Sequence, residues 1–593
     1  MRSLVRTGRF LSPYKWLIAG TIVTTILPVM MELTVPRFMR VVIDDGILQS
    51  DFQAVWEGAL VMFLAAVVGA VATFGQGVFR ARLSQALAFD IRNELFAKVM
   101  QLSHPDVDQL KTGQLITRLT SDVDVVRMFS SVGISLALRA ALMVVGSMIM
   151  LVLSDVRLSL IAWVMLLLTG VVLRWVFVKA TPLYAIVQAR LAALNVVVQE
   201  NLSGMSEVRA FVQEQAQIAR FSDANESLVD QNIKVGRLIA VSMPLIALFT
   251  NLGLVGLAWF GGSAVIAEDV SLGQLVEFNS YLMVGLTPLL LLSGMLAMFS
   301  RATASSVRIW EILDTEPVVK PPALPPTRDL TGRLEFRNVD FAYTRSGPAA
   351  PNGTANGVYA SGHGRRAGEK VLSGLDFTIE AGQTIGLIGA TGSGKSTLMY
   401  LIPRFYDVQA GSILIDGIDV RDWDLKSLRR AVGLVAQHPA LFNRSIRDNI
   451  AFGNPDLPAE DVLQAARMAQ ADAFIEARDD GMAHVVEEAG ANLSGGQKQR
   501  LAIARALAVD PRILLLDDAT SSVDLETEAE IQEAFRDAAR GRTTIIVAHR
   551  VTSIIDADRI LILDEGRVVA DGAHAELLIA SPIYRELYDS QLG

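Results

Sequence analysis

The chain has 593 residues, of which 51% are hydrophobic and 19% charged, against roughly 25% charged in ordinary soluble domains. A formal net charge of −9 argues against nucleic acid as the main partner, and the absence of cysteine excludes disulfides, thiolate metal sites and cysteine nucleophiles. These averages hide a split: the first half is built of long apolar stretches, the second of an ordinary soluble mixture.

The N-terminus carries Arg2, Arg6, Arg9 and Lys15 ahead of an apolar stretch that runs on to Glu32 with no small-residue cleavage site. It reads as a retained first membrane helix rather than a signal peptide. A spanning helix needs about 20 mostly apolar residues. Stretches of that kind occur at Trp16–Pro36, Val55–Val78, Ser131–Leu153, Leu158–Val178, Leu238–Val265 and Val276–Phe299, which predicts six spans. The connections near Asp44-Asp45-Gly46, at Ser154-Asp155 and at Glu268-Asp269 are short. Those after the second and fourth spans are long, polar and helix-friendly.

Charge assigns the sides. The long connections carry Arg80, Arg82, Arg92, Lys98, Lys111 and Arg118, then Lys179, Arg190, Arg209, Arg220 and Lys234, whereas the short ones are mostly acidic. Basic loops stay on the cytoplasmic side, so the N-terminus, both long hairpins and the C-terminal half are expected there. Glu32, Arg37, Arg139 and Arg174 fall within or at the edge of the spans. Charge at that depth faces the bundle interior or a watery cavity. Glu32 and Arg139 are candidates to line a substrate path, or to pair with each other, with a partner chain or with the interface.

A proline-rich stretch from Asp314-Thr315-Glu316-Pro317 to Pro325-Pro326 marks a linker. The expected domains are 1–315 in the membrane, a linker at 316–333, and a soluble domain at 334–593. In the latter, apolar strand-like runs at Thr384–Ile388, Val432–Val435, Ile513–Leu516 and Thr544–Val547 alternate with helical stretches, an α/β pattern with parallel sheet. The first run leads into Gly389-Ala390-Thr391-Gly392-Ser393-Gly394-Lys395-Ser396-Thr397. This is the phosphate-binding pattern G-x-x-x-x-G-K-[ST] between a strand and a helix. Its glycines let backbone N–H groups turn inward around phosphates, with the helix dipole behind them. Lys395 is expected to reach the β- and γ-phosphates and Ser396 to bind Mg²⁺. Asp517, ending the run Ile513–Leu516, is placed to hold Mg²⁺ through water.

The run Leu493-Ser494-Gly495-Gly496-Gln497 resembles the signature of ABC transporters. Tyr343 matches that family's adenine-stacking aromatic and Gln437 the Q-loop glutamine that links the metal site to the membrane domain. Ser521-Ser522-Val523-Asp524 resembles the D-loop, and His549 the switch histidine that contacts the γ-phosphate. Nearly the whole chain resembles an ABC exporter half-transporter: an all-α membrane domain of six helices with two long cytoplasmic hairpins, followed by an α/β P-loop ATPase domain. The resemblance implies ATP and Mg²⁺ as cofactors, a multi-pass place in the cytoplasmic membrane, and a dimer. In such a dimer each ATP lies between one chain's phosphate loop and the other's signature. It also implies coupling tips at the ends of the hairpins, near Lys111–Asp122 and Ser203–Phe211.

Two departures stand out. The family's catalytic glutamate is replaced by Asp518, one methylene shorter. Withdrawing the carboxylate by roughly 1 Å costs on the order of a hundredfold in rate, about 2.7 kcal/mol. An aspartate there beside an intact signature is similar to one subunit of a heterodimeric exporter, whose partner supplies the competent glutamate; the alternative is a homodimer using Asp518 as a poorer base. The second departure is a Gly-, Ala-, Ser- and Asn-rich insertion over about 344–369, which reads as a surface loop. The expected cargo is a lipophilic or amphipathic compound, multidrug or lipid-like. An importer on the same fold, as for siderophores, and a non-pumping channel or sensor are the competing classes.

Overall fold

The computed structural model describes residues 2–110, 112–322, 330–343, 368–517 and 525–592, without the side chains of 243, 286, 287, 289–297, 525–528 and 592. It divides into two compact units. One comprises Met1–Lys98 with Ile116–Asp314, the other Val99–Leu115 with Thr315–Gly593.

The first unit is helical. Among the described residues five helical stretches are long and apolar enough to cross a membrane: Arg2–Ile47, Phe52–Gln101, Thr112–Ser154, Val156–Ser203 and Glu214–Ile266. The sixth expected span lies on the helix Leu272–Asp314. The helix Phe52–Gln101 has 50 residues, about 75 Å at 1.5 Å per residue, against a hydrocarbon layer of about 30 Å. It therefore runs far past its apolar part, as do Val156–Ser203 and Glu214–Gly256. The latter two pack along each other and turn through the short helix Met205–Ala210.

Several charges inside this bundle are paired. Arg139 meets Glu32 at 3.1 Å, so the two candidate path residues pair with each other while both side chains stay partly exposed. At one end of the bundle Glu277 is fully buried; its Oε2 accepts from Ser154 Oγ at 3.0 Å and from Arg40 Nη1 at 3.4 Å. Beside it, Asp44 accepts from Gly273 N at 2.7 Å and bonds Ser271. At the other end of the last helix, Arg6 grips Asp314 through two 2.7 Å bonds and lies 3.8 Å over the Trp310 ring.

The second unit contains two sheets. Antiparallel β1 (Leu334–Ala342), β2 (Lys370–Ile379), β4 (Ala410–Ile415) and β5 (Ile418–Asp419) are ordered β2-β1-β4-β5. The larger sheet runs β10-β9-β3-β8-β7-β6, built from β3 (Thr384–Ile388), β6 (Val432–Val435), β7 (Ile513–Asp517), β8 (Thr543–Val547), β9 (Arg559–Asp564) and β10 (Arg567–Gly572). All its pairings are parallel except β9 with β10. Its inner strands are apolar on both faces, as a doubly covered parallel sheet requires. Ile513, Leu515, Ile545 and Val547 join one core; Leu514, Leu516, Ile546 and Ala548 join the other. The expected insertion lies between β1 and β2, and its residues 344–367 are outside the described set; at its neck Gly368 N donates to Tyr343 O at 2.9 Å.

Candidate active site

In a parallel sheet, ligands gather beyond the carboxyl ends of the strands. Four candidates lie on that edge because the strands carrying them are neighbours: the loop Gly389–Gly394 after β3, His549 after β8, Asp517 at the end of β7, and Gln437 after β6. Asp517 pairs in register with Val547, and Val547 with Leu387, so the three strand ends are level. Asp517 is 4% exposed, whereas Gln437 and His549 are exposed. Burial first, and then the Asp517 carboxylate, raise the Tyr400 hydroxyl above its ordinary range, which places Asp517 beside the helix Lys395–Leu401.

The loop is shaped by close approach. A Cβ on Gly389 would sit 2.0 Å from the carbonyl oxygen of Leu563 in β9, and Gly394 adopts φ of +107° where a Cβ would meet Leu372 at 2.6 Å. Only glycine fits both places. Lys395 is buried, and its Nζ donates to Gly389 O at 2.8 Å and Ala390 O at 3.0 Å, folding over its own loop. Ser393 is 3% exposed and its Oγ is buried without a hydrogen-bond partner. An orphaned hydroxyl, a buried ammonium and a cradle that side chains cannot enter fit a bound phosphate chain. Thr391 and Gly392 are exposed at the rim, and Ser396 is half-buried on the first turn of the helix.

Tyr343 is placed differently from an open platform. Its ring is 8% exposed, edge-on to Phe341 at 4.9 Å and to Tyr406 at 5.3 Å, and its hydroxyl lies 3.0 Å from Thr397 Oγ1. Burial pushes that hydroxyl up to about 12 despite the Thr397 hydrogen bond, which acts the other way.

The run Leu493–Gln497 opens the helix Gly495–Leu507. Ser494 caps it reciprocally: its Oγ accepts from Gln497 N at 3.3 Å, while Gln497 Oε1 accepts from Ser494 N at 3.2 Å. Leu493 is buried, Gly496 is buried, and Ser494 and Gly495 are exposed, so the positive end of a 13-residue helix faces outward. This helix belongs to one core, through Leu501, Ile503 and Leu507; the helix after the phosphate loop belongs to the other, through Leu398, Met399 and Leu401. The helix after the phosphate loop and the helix opened by the signature run thus pack on opposite faces of the same sheet. Asp518 and Ser521–Asp524, Asp524 included, lie outside the described residues.

The segment of the first half that joins the second unit is Val99–Leu115, which overlaps the start of the expected tip at Lys111–Asp122. Its short helix His104–Leu110 is capped by Asp106, which accepts from Ser103 N at 2.9 Å. His104 stacks on Phe405 at 4.1 Å, and Tyr406 donates to Asp108 at 2.6 Å. The turn begins where this cap reverses the chain, and Ser103-His104-Pro105-Asp106 was the available signal.

Two family models match the chain: the ABC transporter transmembrane region over residues 17–289 and ABC transporter over residues 372–521. The Bacillus subtilis (strain 168) ABC transporter ATP-binding protein YfiB is 34% identical over 98% of each chain. The chain belongs to the ABC transporter family. A Syntrophus aciditrophicus (strain SB) protein named as an ATP-dependent lipid A-core flippase is 32% identical over 93% of this chain and 88% of its own. Among solved structures, a bacterial Atm1-family ABC exporter with ATP bound superposes with a TM-score of 0.77 at 27% identity, covering 98% of both chains. The protein is a multi-pass membrane protein of exporter architecture that couples ATP hydrolysis to transport.

Proposed function

We propose that this ABC transporter is one subunit of a two-chain exporter, preferentially a heterodimer, that moves a lipophilic or amphipathic compound out across the cytoplasmic membrane. The observation that carries the two-chain reading is that the helix after the phosphate loop and the helix opened by the signature run pack into different cores on opposite faces of the sheet. A second chain, facing the first head to tail, is needed to bring Ser494 to a phosphate held at Lys395. Apolar side chains far along the helices beyond the membrane-length stretches agree with this, among them Leu202 at 66% and Phe211 at 73% exposure. Such surface is costly in water and fits a protein partner.

In the phosphate loop the backbone N–H groups bind the phosphates, and Lys395 exchanges its bonds to Gly389 O and Ala390 O for phosphate oxygens. Ser396 and Asp517 are the groups to hold Mg²⁺ with Gln437; the bound ion would neutralise charge on the β- and γ-phosphates. His549 contacts the terminal phosphate from the neighbouring strand end, and Asp524 of the D-loop belongs to the same composite site. Asp518 is left to orient the attacking water, poorly for want of reach. Binding of ATP at two such sites closes the pair, and the docked helix His104–Leu110 carries the movement to the membrane helices.

A tail-labelled lipid in proteoliposomes tests direction. ATP-driven movement away from the leaflet on the ATP side is expected. Movement toward it identifies an importer on the same fold, and ATP binding without flux a channel or sensor.

A further inference from the structure

Beside the signature run lies a polar chain that the nucleotide chemistry above does not use. His484 Nδ1 faces both oxygens of Asp480, at 3.0 and 3.2 Å, and therefore carries the ring proton. Its Nε2 lies 2.9 Å from Arg478 Nη1 and 3.2 Å from Asn492 Nδ2. Both neighbours are donors. The Asn492 amide is fixed in that sense because its Oδ1 accepts from Glu487 N at 3.0 Å and its Nδ2 donates to Val485 O at 3.0 Å. Nε2 can only accept here.

Arg478 passes the arrangement on. Its Nη2 donates to Gln497 Oε1 at 3.4 Å, the same oxygen that accepts from Ser494 N in the helix cap. Its Nε is buried with no hydrogen-bond partner, and no carboxylate among the described residues pairs with it. The guanidinium is thus held by a neutral imidazole on one side and the signature glutamine on the other. The backbone fixes the ring's position: Ile446 N donates to His484 O at 2.9 Å, and Val485 bridges Ser445. Charged groups on the packed elements are Arg444, Arg447 and Asp448 of that facing segment, Asp472 and Glu476 of the short helix before the loop, Asp479, Glu487 and Glu488 of the loop itself, and Lys498 and Arg500 of the signature helix. None hydrogen-bonds the ring.

We propose that Arg478 and His484 are positioning residues that set the signature turn Ser494–Gln497, and that they hold it only while His484 Nε2 is unprotonated. A proton on Nε2 would aim N–H at N–H, drive the Arg478 guanidinium off the ring and release Gln497 Oε1. The state of one ring thus sets the geometry of the surface offered to the opposite phosphate loop. This rests on the reading that the signature completes an ATP site.

The test is single-turnover hydrolysis of radiolabelled ATP by the full chain in lipid from pH 5.5 to 8, with variants H484Q, R478A and S494A. Single turnover reads even a slow site. The comparison with H484Q separates this ring from the other histidines of the chain. Glutamine at 484 keeps an acceptor for Arg478 and cannot take the proton. Expected are a wild-type loss of roughly tenfold on acidification across this range, a much shallower loss in H484Q with normal turnover at pH 8, and a similar tenfold loss at all pH in R478A. An H484Q profile that overlays the wild type, or R478A turnover at the wild-type level while S494A is inactive, overturns the proposal. An S494A variant as active as wild type instead removes the signature reading beneath it.

Discussion

Tyr406 donates its hydroxyl to Asp108 at 2.6 Å, tying a residue just beyond the phosphate-loop helix to the short helix His104–Leu110 that interrupts the membrane unit in sequence. Burial first, then the hydrogen bond and the Asp108 charge, raise the tyrosine well above its ordinary range, so it remains a neutral donor at any working pH. A charge-assisted bond of this kind contributes about 1.5–3 kcal/mol. Tyr406→Phe is expected to leave ATP binding intact while the stimulation of ATPase by transported compound falls several-fold, measured in proteoliposomes.

The same docking carries a pH dependence. Burial lowers His104 below its ordinary range; Asp108 pulls the other way and Arg429 adds to the lowering. The docked state therefore binds fewer protons than the free one. Docking is fully present above the free histidine value of about 6.5 and is lost as pH falls through the lowered one. Hydrogen exchange of the 104–110 amides should accelerate on acidification in the wild type and much less in His104→Gln.

The two ends of the Glu277–Arg40 pair are expected to differ in what their loss costs. Glu277 is fully buried against Arg40 and Ser154. Arg40→Ala leaves a buried carboxylate without its cation, at a cost of about 3–5 kcal/mol. Glu277→Gln removes the charge as well and should cost far less. Thermal unfolding in detergent checks the order: Arg40→Ala well below wild type, Glu277→Gln close to it.

Asp416 secures the point where the chain enters the ATPase unit. Burial would raise its carboxyl, but bonds from the Thr331 hydroxyl and from the N–H groups of Thr331, Arg333 and Gly332 outweigh this and lower it. A lowered folded value stabilises above the unfolded value of about 3.9 and fades as pH falls below it. Asp416→Asn should be less stable than the wild type at neutral pH, and acid unfolding followed by circular dichroism should start no lower in the variant, the two stabilities converging as the wild-type carboxyl takes up its proton.

Much of this was legible in the sequence, for a physical reason. A bilayer demands about 20 apolar residues per span, and a phosphate cradle demands glycines where Leu563 O and Leu372 crowd the loop, so both leave strong patterns. The docking helix left only Ser103, Asp106 and Asp108, polar residues with no periodicity to mark it. Glu277 lay inside an expected span and was not singled out, although an acid at that depth is a signal in itself. The setting of the Tyr343 ring depends on Thr397 and Tyr406, which are distant in sequence, and no local pattern encodes it.

On the proposed two-chain reading, Asp518 makes this chain's own ATP site slow and a glutamate-bearing partner necessary. Steady-state ATPase of the purified chain alone in lipid, with Asp518→Glu beside it, tests this most directly. The account predicts a nearly inactive wild type and a rise on the order of a hundredfold in the variant. Brisk wild-type turnover coupled to transport would contradict it, and would make the protein a self-sufficient homodimer.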